Sequence, residues 1–223
     1  MANNDDSFIR EVNDELRSEQ MSKAWKRFGR ILIGAAVLLV VGVAGHRGYE
    51  YWHSNNASAS GDRFVTAIDL AGDKKNDEAL AAFSELEKDG TGSYPVLAKL
   101  RTAALQAEKG DKAAAIATFQ AISKDNAVPA LVRDVAKLRA AFLLVDTAGY
   151  EQVAAEAELL SSDGHALRFS AREVLGLAAY KADNMKQAKD WFTQITNAAD
   201  APRNVASRAQ IMLDNIAASG KAP

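Results

Sequence analysis

The chain contains no cysteine, which excludes disulfide staples, zinc–thiolate centres and thiol nucleophiles together. Such a chain suits an oxidising compartment without requiring one. Only three histidines are present, so there is little material for imidazole catalysis or metal ligation. His46 and His53, seven apart with Glu50 between them, read as interfacial polar residues rather than as a metal site. His165 follows Asp163-Gly164 and reads as a turn or capping residue. Four prolines and 7% aromatics argue against sheet, and abundant Ala, Leu, Lys and Glu argue for helix. The expected class is all-α. A net charge of −2 supplies no electrostatic reason to bind nucleic acid. Carboxylates lie among Lys and Ala on what read as solvated helix faces, with no pair set in an apolar context. The glycines fall in turns and form no phosphate-binding loop. The sequence therefore offers no catalytic residue, no cofactor or metal site and no small-molecule substrate, and the chain does not read as an enzyme.

What is present falls into two parts. The first is one long uncharged apolar run between Arg30 and Arg47. Ile31 to Gly45 is 15 residues, roughly 22 Å of helix against a hydrocarbon core of about 30 Å. The flanks extend it. Trp25, Arg27 and Arg30 precede it, and Arg47, Tyr49, Tyr51 and Trp52 follow. From Trp25 to Trp52 is about 40 Å of helix, the distance between the two interfacial zones of a bilayer. The arginines snorkel outward from such a seat. Nine Ile, Leu or Val residues favour insertion by roughly 3–5 kcal/mol, and no polar stripe interrupts them as in a core helix.

Basic residues concentrate before the run, at Arg17, Lys23, Lys26, Arg27 and Arg30, whereas Arg47 alone precedes Arg63 on the far side. That asymmetry predicts a cytoplasmic N-terminus. A cleaved signal peptide is the rival reading, because Gly42-Val43-Ala44 presents small residues at a possible cut. The late start of the run and the acidic residues before it (Asp5, Asp6, Glu11, Asp14, Glu15, Glu19) favour a retained anchor. Within the tail, Phe8, Ile9, Val12 and Leu16 share one helical face. Gly34, Gly42 and Gly45 give the span small residues of the kind that let another helix approach.

The second part is periodic. "NDEALAAFSEL", "KAAAIATFQAI", "YEQVAAEAELL" and "MKQAKDWFTQI" superimpose without gaps, at offsets of 36, 38 and 35 residues. Their anchors are Ala79, Ala115, Val153 and Ala188, followed four residues on by Phe83, Phe119, Ala157 and Phe192. Three residues later come Leu86, Ile122, Leu160 and Ile195, which completes one packed helical face. Trp191-Phe192 accordingly reads as core rather than as a ligand platform. Partner helices recur in register: "LAKLRTAAL" and "VAKLRAAFL" lie 38 apart, and Ala103, Ala141 and Gly176 supply the small residue at which two helices cross closely. The unit is a helix–turn–helix hairpin of about 36 residues. A last helix near Arg203–Ser219, after Pro202, caps the stack.

A hairpin of this length, with a small residue in its first helix and Ala then an aromatic four later in its second, resembles the tetratricopeptide repeat. "LQAEKGDKAAAIATF" and "LAAYKADNMKQAKDWF" carry the best matches. The consensus Trp of the first helix and the Pro ending each repeat are missing. An acidic-then-basic tail, one span, "YEYWHSNNAS" and about four degenerate repeats together resemble the YfgM-type ancillary subunit of the SecYEG translocon. That resemblance implies a cell inner-membrane protein with a periplasmic repeat domain, partnered by the translocon and a PpiD-like periplasmic chaperone.

The expected organisation is a cytoplasmic amphipathic tail (1–29), a transmembrane anchor with aromatic flanks (30–52), a linker (53–60) and a tetratricopeptide-like α-solenoid (61–223). The expected function is a membrane-anchored protein–protein interaction scaffold linking exported chains to chaperones. The alternative is a cleaved, secreted or envelope-assembly repeat protein acting as a soluble adaptor.

Overall fold

The computed structural model describes residues 3–220. The side chains before Trp25, and those of Arg27, Phe28, Leu32, Ala36, Glu50 and residues 52–56, lie outside the described residues. The amphipathic pattern of Phe8, Ile9, Val12 and Leu16 and the anchor positions Arg27 and Trp52 fall among them. Every described element is helical, and no strand occurs among the described residues. The chain divides into two compact units, one ending at Asn56 and one beginning at Ala57.

The first unit is helical from Asn3, the start of α1 (Asn3–Gly72). Its segment Gly29–Tyr49, 21 residues, is long and apolar enough to cross a membrane. At 1.5 Å per residue it measures about 31 Å, the thickness of a hydrocarbon core. It adds Gly29, Arg30 and the residues from His46 to Tyr49, Arg47 among them, to the 15 strictly apolar ones. Ile31, Ile33, Val37, Leu38 to Val41 and Val43 are all exposed, and successive positions 37–41 cover every direction around the helix. Residues 53–60, where Asn and Ser suggest a polar linker, are helical. Extending an existing helix through short polar residues costs far less than nucleating one.

The second unit stacks helical hairpins. The end of α1 from Ala57 pairs with α2 (Asn76–Asp89), and α3 (Tyr94–Glu108) pairs with α4 (Lys112–Lys124). Next come α5 (Ala130–Thr147) with α6 (Tyr150–Ala157), then α7 (Arg168–Lys181) with α8 (Met185–Thr196), and α9 (Arg203–Ser219) closes the stack. Pro95, Pro129 and Pro202 stand at the starts of α3, α5 and α9, where a missing N–H costs nothing and the fixed φ suits the first turn. The turns inside the hairpins repeat as well. Lys74, Gly110 and Asp183 all have positive φ, at offsets of 36 and 73 that match the helical register. Asp111 and Asn184 follow as N-caps, accepting from the backbone N–H of Ala114 at 3.0 Å and of Gln187 at 3.2 Å. The third hairpin departs: Ala148 and Gly149 are extended, and Gln152 Oε1 accepts the Gly149 N–H instead. Its second helix also tightens early into a 3-10 turn over Glu158–Ser161.

Among the described residues the core comes as four consecutive clusters, each joining one hairpin to the first helix of the next. Ala67, Phe83, Leu86 and Ala98 form the first, and Ala103, Phe119, Ile122 and Ala136 the second. Ala141, Val153, Leu160 and Val174 form the third, and Ala179, Phe192, Ile195 and Ala209 the fourth. Burial is thus a nearest-neighbour affair, as expected of a quasi-one-dimensional stack.

Candidate interaction surface

The sequence anchors of the second helices all lie in this core. Ala79, Ala115, Val153, Ala157, Ala188 and Phe192 are wholly buried, and Phe83 and Phe119 nearly so. Gly176 marks a close crossing: a Cβ built on it would lie 2.8 Å from Cε1 and Cζ of Phe192. The small residue of the first helix therefore seats the aromatic of the second directly. Trp191, beside Phe192, is only half-buried and donates its Nε1–H to the Tyr150 hydroxyl oxygen at 3.1 Å. Burial pushes the Tyr150 phenol above its ordinary value, with the Trp191 hydrogen bond acting the other way.

Of the positions flanking the apolar segment, Trp25, Tyr49 and Tyr51 are exposed, as are Arg30 and Arg47. Gly29 leaves room for the Trp25 indole to lie along the helix, since a Cβ there would come within 3.3 Å of the ring. His165 accepts the Leu167 N–H at Nδ1 (3.1 Å) and faces Asp134 through Nε2 (3.3 Å), so it closes the turn into α7.

Charges tie neighbouring hairpins together at repeat spacing. Lys112 meets Asp146 at 2.7 Å, and the hydrogen bond from Lys112 holds that carboxyl below its usual value. Lys109 pairs with Asp77 and Arg168 with Asp200. One pair contradicts the expectation that carboxylates lie on solvated faces. The Glu173 side chain, 7% exposed, takes a two-pronged contact from Arg208, whose Nε and Nη2 lie 2.5 and 2.7 Å from its oxygens. That contact raises the Arg208 pKa. Arg172 is also buried, bonded to the Ser161 carbonyl and to Asp163. The available sequence signal was the 35-residue spacing of Glu173 and Arg208, the repeat period itself.

Equivalent positions on the first helices define what remains open. Val65, Arg101 and Arg139 occupy one repeat position and are all exposed, whereas Val174 at the same position is buried. Leu97 and Phe142 on either side of that row are 40% and 37% exposed. The uncovered face thus runs over the first three hairpins and closes at the fourth, where α7 is enclosed by its neighbours. Among the described residues no three His, Asp or Glu side chains cluster as metal ligands.

Stacked helical hairpins with nearest-neighbour cores and an open first-helix face define an interaction solenoid. Residues 23–218 match the tetratricopeptide repeat-like domain family, and the chain belongs to it. No curated protein and no solved structure matches the chain.

Proposed function

We propose that this protein is a membrane-anchored scaffold of the cell inner membrane, an ancillary subunit of the SecYEG translocon that passes exported chains to a PpiD-like periplasmic chaperone. The repeat-like domain makes protein binding the general activity. The observation carrying the reading is the row of exposed side chains that recurs on successive first helices, a surface with partners to hold and no reacting groups. On this reading residues 1–29 are the cytoplasmic tail, 30–52 the anchor, and 61–223 the periplasmic repeat domain beyond the 53–60 segment. Trp25, Tyr49 and Tyr51, with Arg27, Arg30, Arg47 and Trp52, seat the anchor at the two interfaces. The apolar, outward-facing side chains of the Gly29–Tyr49 helix support it.

Site-specific photo-crosslinking in cells, from the first-helix face and from Tyr49 and Tyr51, tests the proposal. Capture of translocon and chaperone subunits is expected. Capture of neither from any position overturns the translocon assignment. The soluble-adaptor reading rests on Gly42-Val43-Ala44, and a mature protein beginning after Ala44 in the soluble fraction would establish it.

A further inference from the structure

The connection into α7 holds a side chain whose hydrogen bonds fix its tautomer. His165 ends the turn that begins at Ser162, with its own N–H on the Ser162 carbonyl at 2.9 Å. Its Nδ1 accepts the Leu167 N–H at 3.1 Å, and its Nε2 lies 3.3 Å from Asp134 Oδ2 on α5. An amide N–H only donates, so Nδ1 carries a lone pair and the ring is the neutral Nε2–H tautomer, donating to Asp134. One connection earlier, between α4 and α5, Asp125 Oδ1 accepts the Ala127 N–H at 2.9 Å. The two turns share one device, a side-chain acceptor for the N–H two residues on. A carboxylate keeps that acceptor at any pH above about 4, whereas an imidazole ordinarily gives it up on taking a second proton near pH 6.5.

We propose that His165 is a proton-operated joint between the third and fourth hairpins. Protonation places an N–H on Nδ1, donor against donor with Leu167, so the ring leaves the backbone while its new charge draws it to Asp134. The connection trades a bond within itself for a charge-assisted one to α5. The groups around the ring permit this exchange. On α5, Lys137 lies 3.8 Å from Asp134 Oδ1, which leaves Oδ2 to His165. On α7, Arg168 donates to the His165 carbonyl at 3.3 Å and pairs with Asp200. In the turn itself, Asp163 pairs with Arg172. The cost falls on Leu167, which packs against the third core cluster and directly precedes α7. Its N–H loses an acceptor in a part-buried place, where water replaces it poorly. The open first-helix face ends at this junction, so acid loosens the stack where α5 gives way to α7.

The test is NMR on the full chain in zwitterionic nanodiscs, with isotope-labelled His, Leu and Ala. Ring nitrogen shifts at pH 8 are expected to report the Nε2–H tautomer. Between pH 8 and pH 5 the Leu167 amide is expected to lose about tenfold in exchange protection, corrected for the intrinsic pH dependence of exchange, along the titration curve of the His165 ring. The Ala127 amide, on the Asp125 turn, is the control and is expected to show no such change. In His165→Asn the side-chain oxygen can accept the Leu167 N–H and the amide can donate to Asp134, with nothing to titrate. There the pH dependence at Leu167 is expected to vanish. A Leu167 amide unprotected at both pH values in that variant also upholds the joint, because the loss no longer follows pH. An Nδ1–H tautomer at pH 8, a ring that does not titrate in this range, or equal Leu167 protection at the two pH values in the wild type overturns the inference. So does the same pH-dependent loss in His165→Asn.

Discussion

Gly176 holds an exacting position in the stack. Alanine normally gains up to about 1 kcal/mol over glycine inside a helix. Here the added methyl would meet the Phe192 ring at 2.8 Å, and that ring is fully buried. Overpacking of this kind costs about 1–3 kcal/mol. Gly176→Ala is therefore expected to lower urea stability, whereas Gly72→Ala, with open space at its Cβ, is expected to leave stability unchanged or raised. Equal effects at the two sites would refute the seat assigned to Phe192.

Tyr150 gives a second test at this scale. Its folded pKa is raised, chiefly by burial, so the neutral phenol is the form the fold favours. The associated stability is fully present below about pH 10, the unfolded value, and is lost as pH rises through the folded pKa. Urea unfolding between neutral pH and pH 11.5 is expected to show a steeper alkaline loss in the wild type than in Tyr150→Phe. Parallel curves would disprove it.

Among elements, α9 owes its place to two kinds of contact. Val205, Ala209 and Ile216 join the fourth core cluster, and Arg208 grips Glu173 of α7. Removing one partner strands a buried carboxylate, an error of about 3–5 kcal/mol for a fully buried pair. Arg208 is 52% exposed, so water and salt relieve part of it, and Arg208→Ala is expected to cost about 2 kcal/mol. In a Glu173→Gln background the same substitution is expected to cost less than about 1 kcal/mol. Additive effects in that double-mutant cycle would show that the two side chains do not depend on one another.

These elements also show what a sequence displays of itself. The packed face of each second helix was legible because Ala, an aromatic and an aliphatic recur at i, i+4 and i+7. Pro202 and the pattern after it marked α9. Two things were hidden. Glu173 looks like any helical carboxylate, because what buries it is α9, thirty-odd residues away. The exposure of Arg101 and Arg139 was equally invisible: the same repeat position is covered in α7, where Val174 stands, and only the packing distinguishes them. The polar composition of residues 53–60 marked a boundary, and the division into two units falls within it, but composition does not report the cheapness of continuing a helix through it.

At the scale of the whole molecule, a single apolar segment and a stack of about 36-residue hairpins account for most of the chain. The family assignment follows from the stack, and the proposed anchoring rests on Gly29–Tyr49. The small residues and capped turns recur because each hairpin faces the same packing problem, that of covering the previous hairpin and offering a face to the next. The third hairpin solves it differently, with an extended turn and a 3-10 ending, and the open face gives way to the enclosed α7 just beyond it.

The division of the core into four clusters has a mechanical side. With no cluster spanning more than two hairpins, tension applied between the two ends of the repeat unit has no single clasp to break. Each hairpin of about 36 residues would yield by itself and release roughly 120 Å of contour. A partner tugging on such a stack would meet a sequence of small yields, a graded tether in place of a latch.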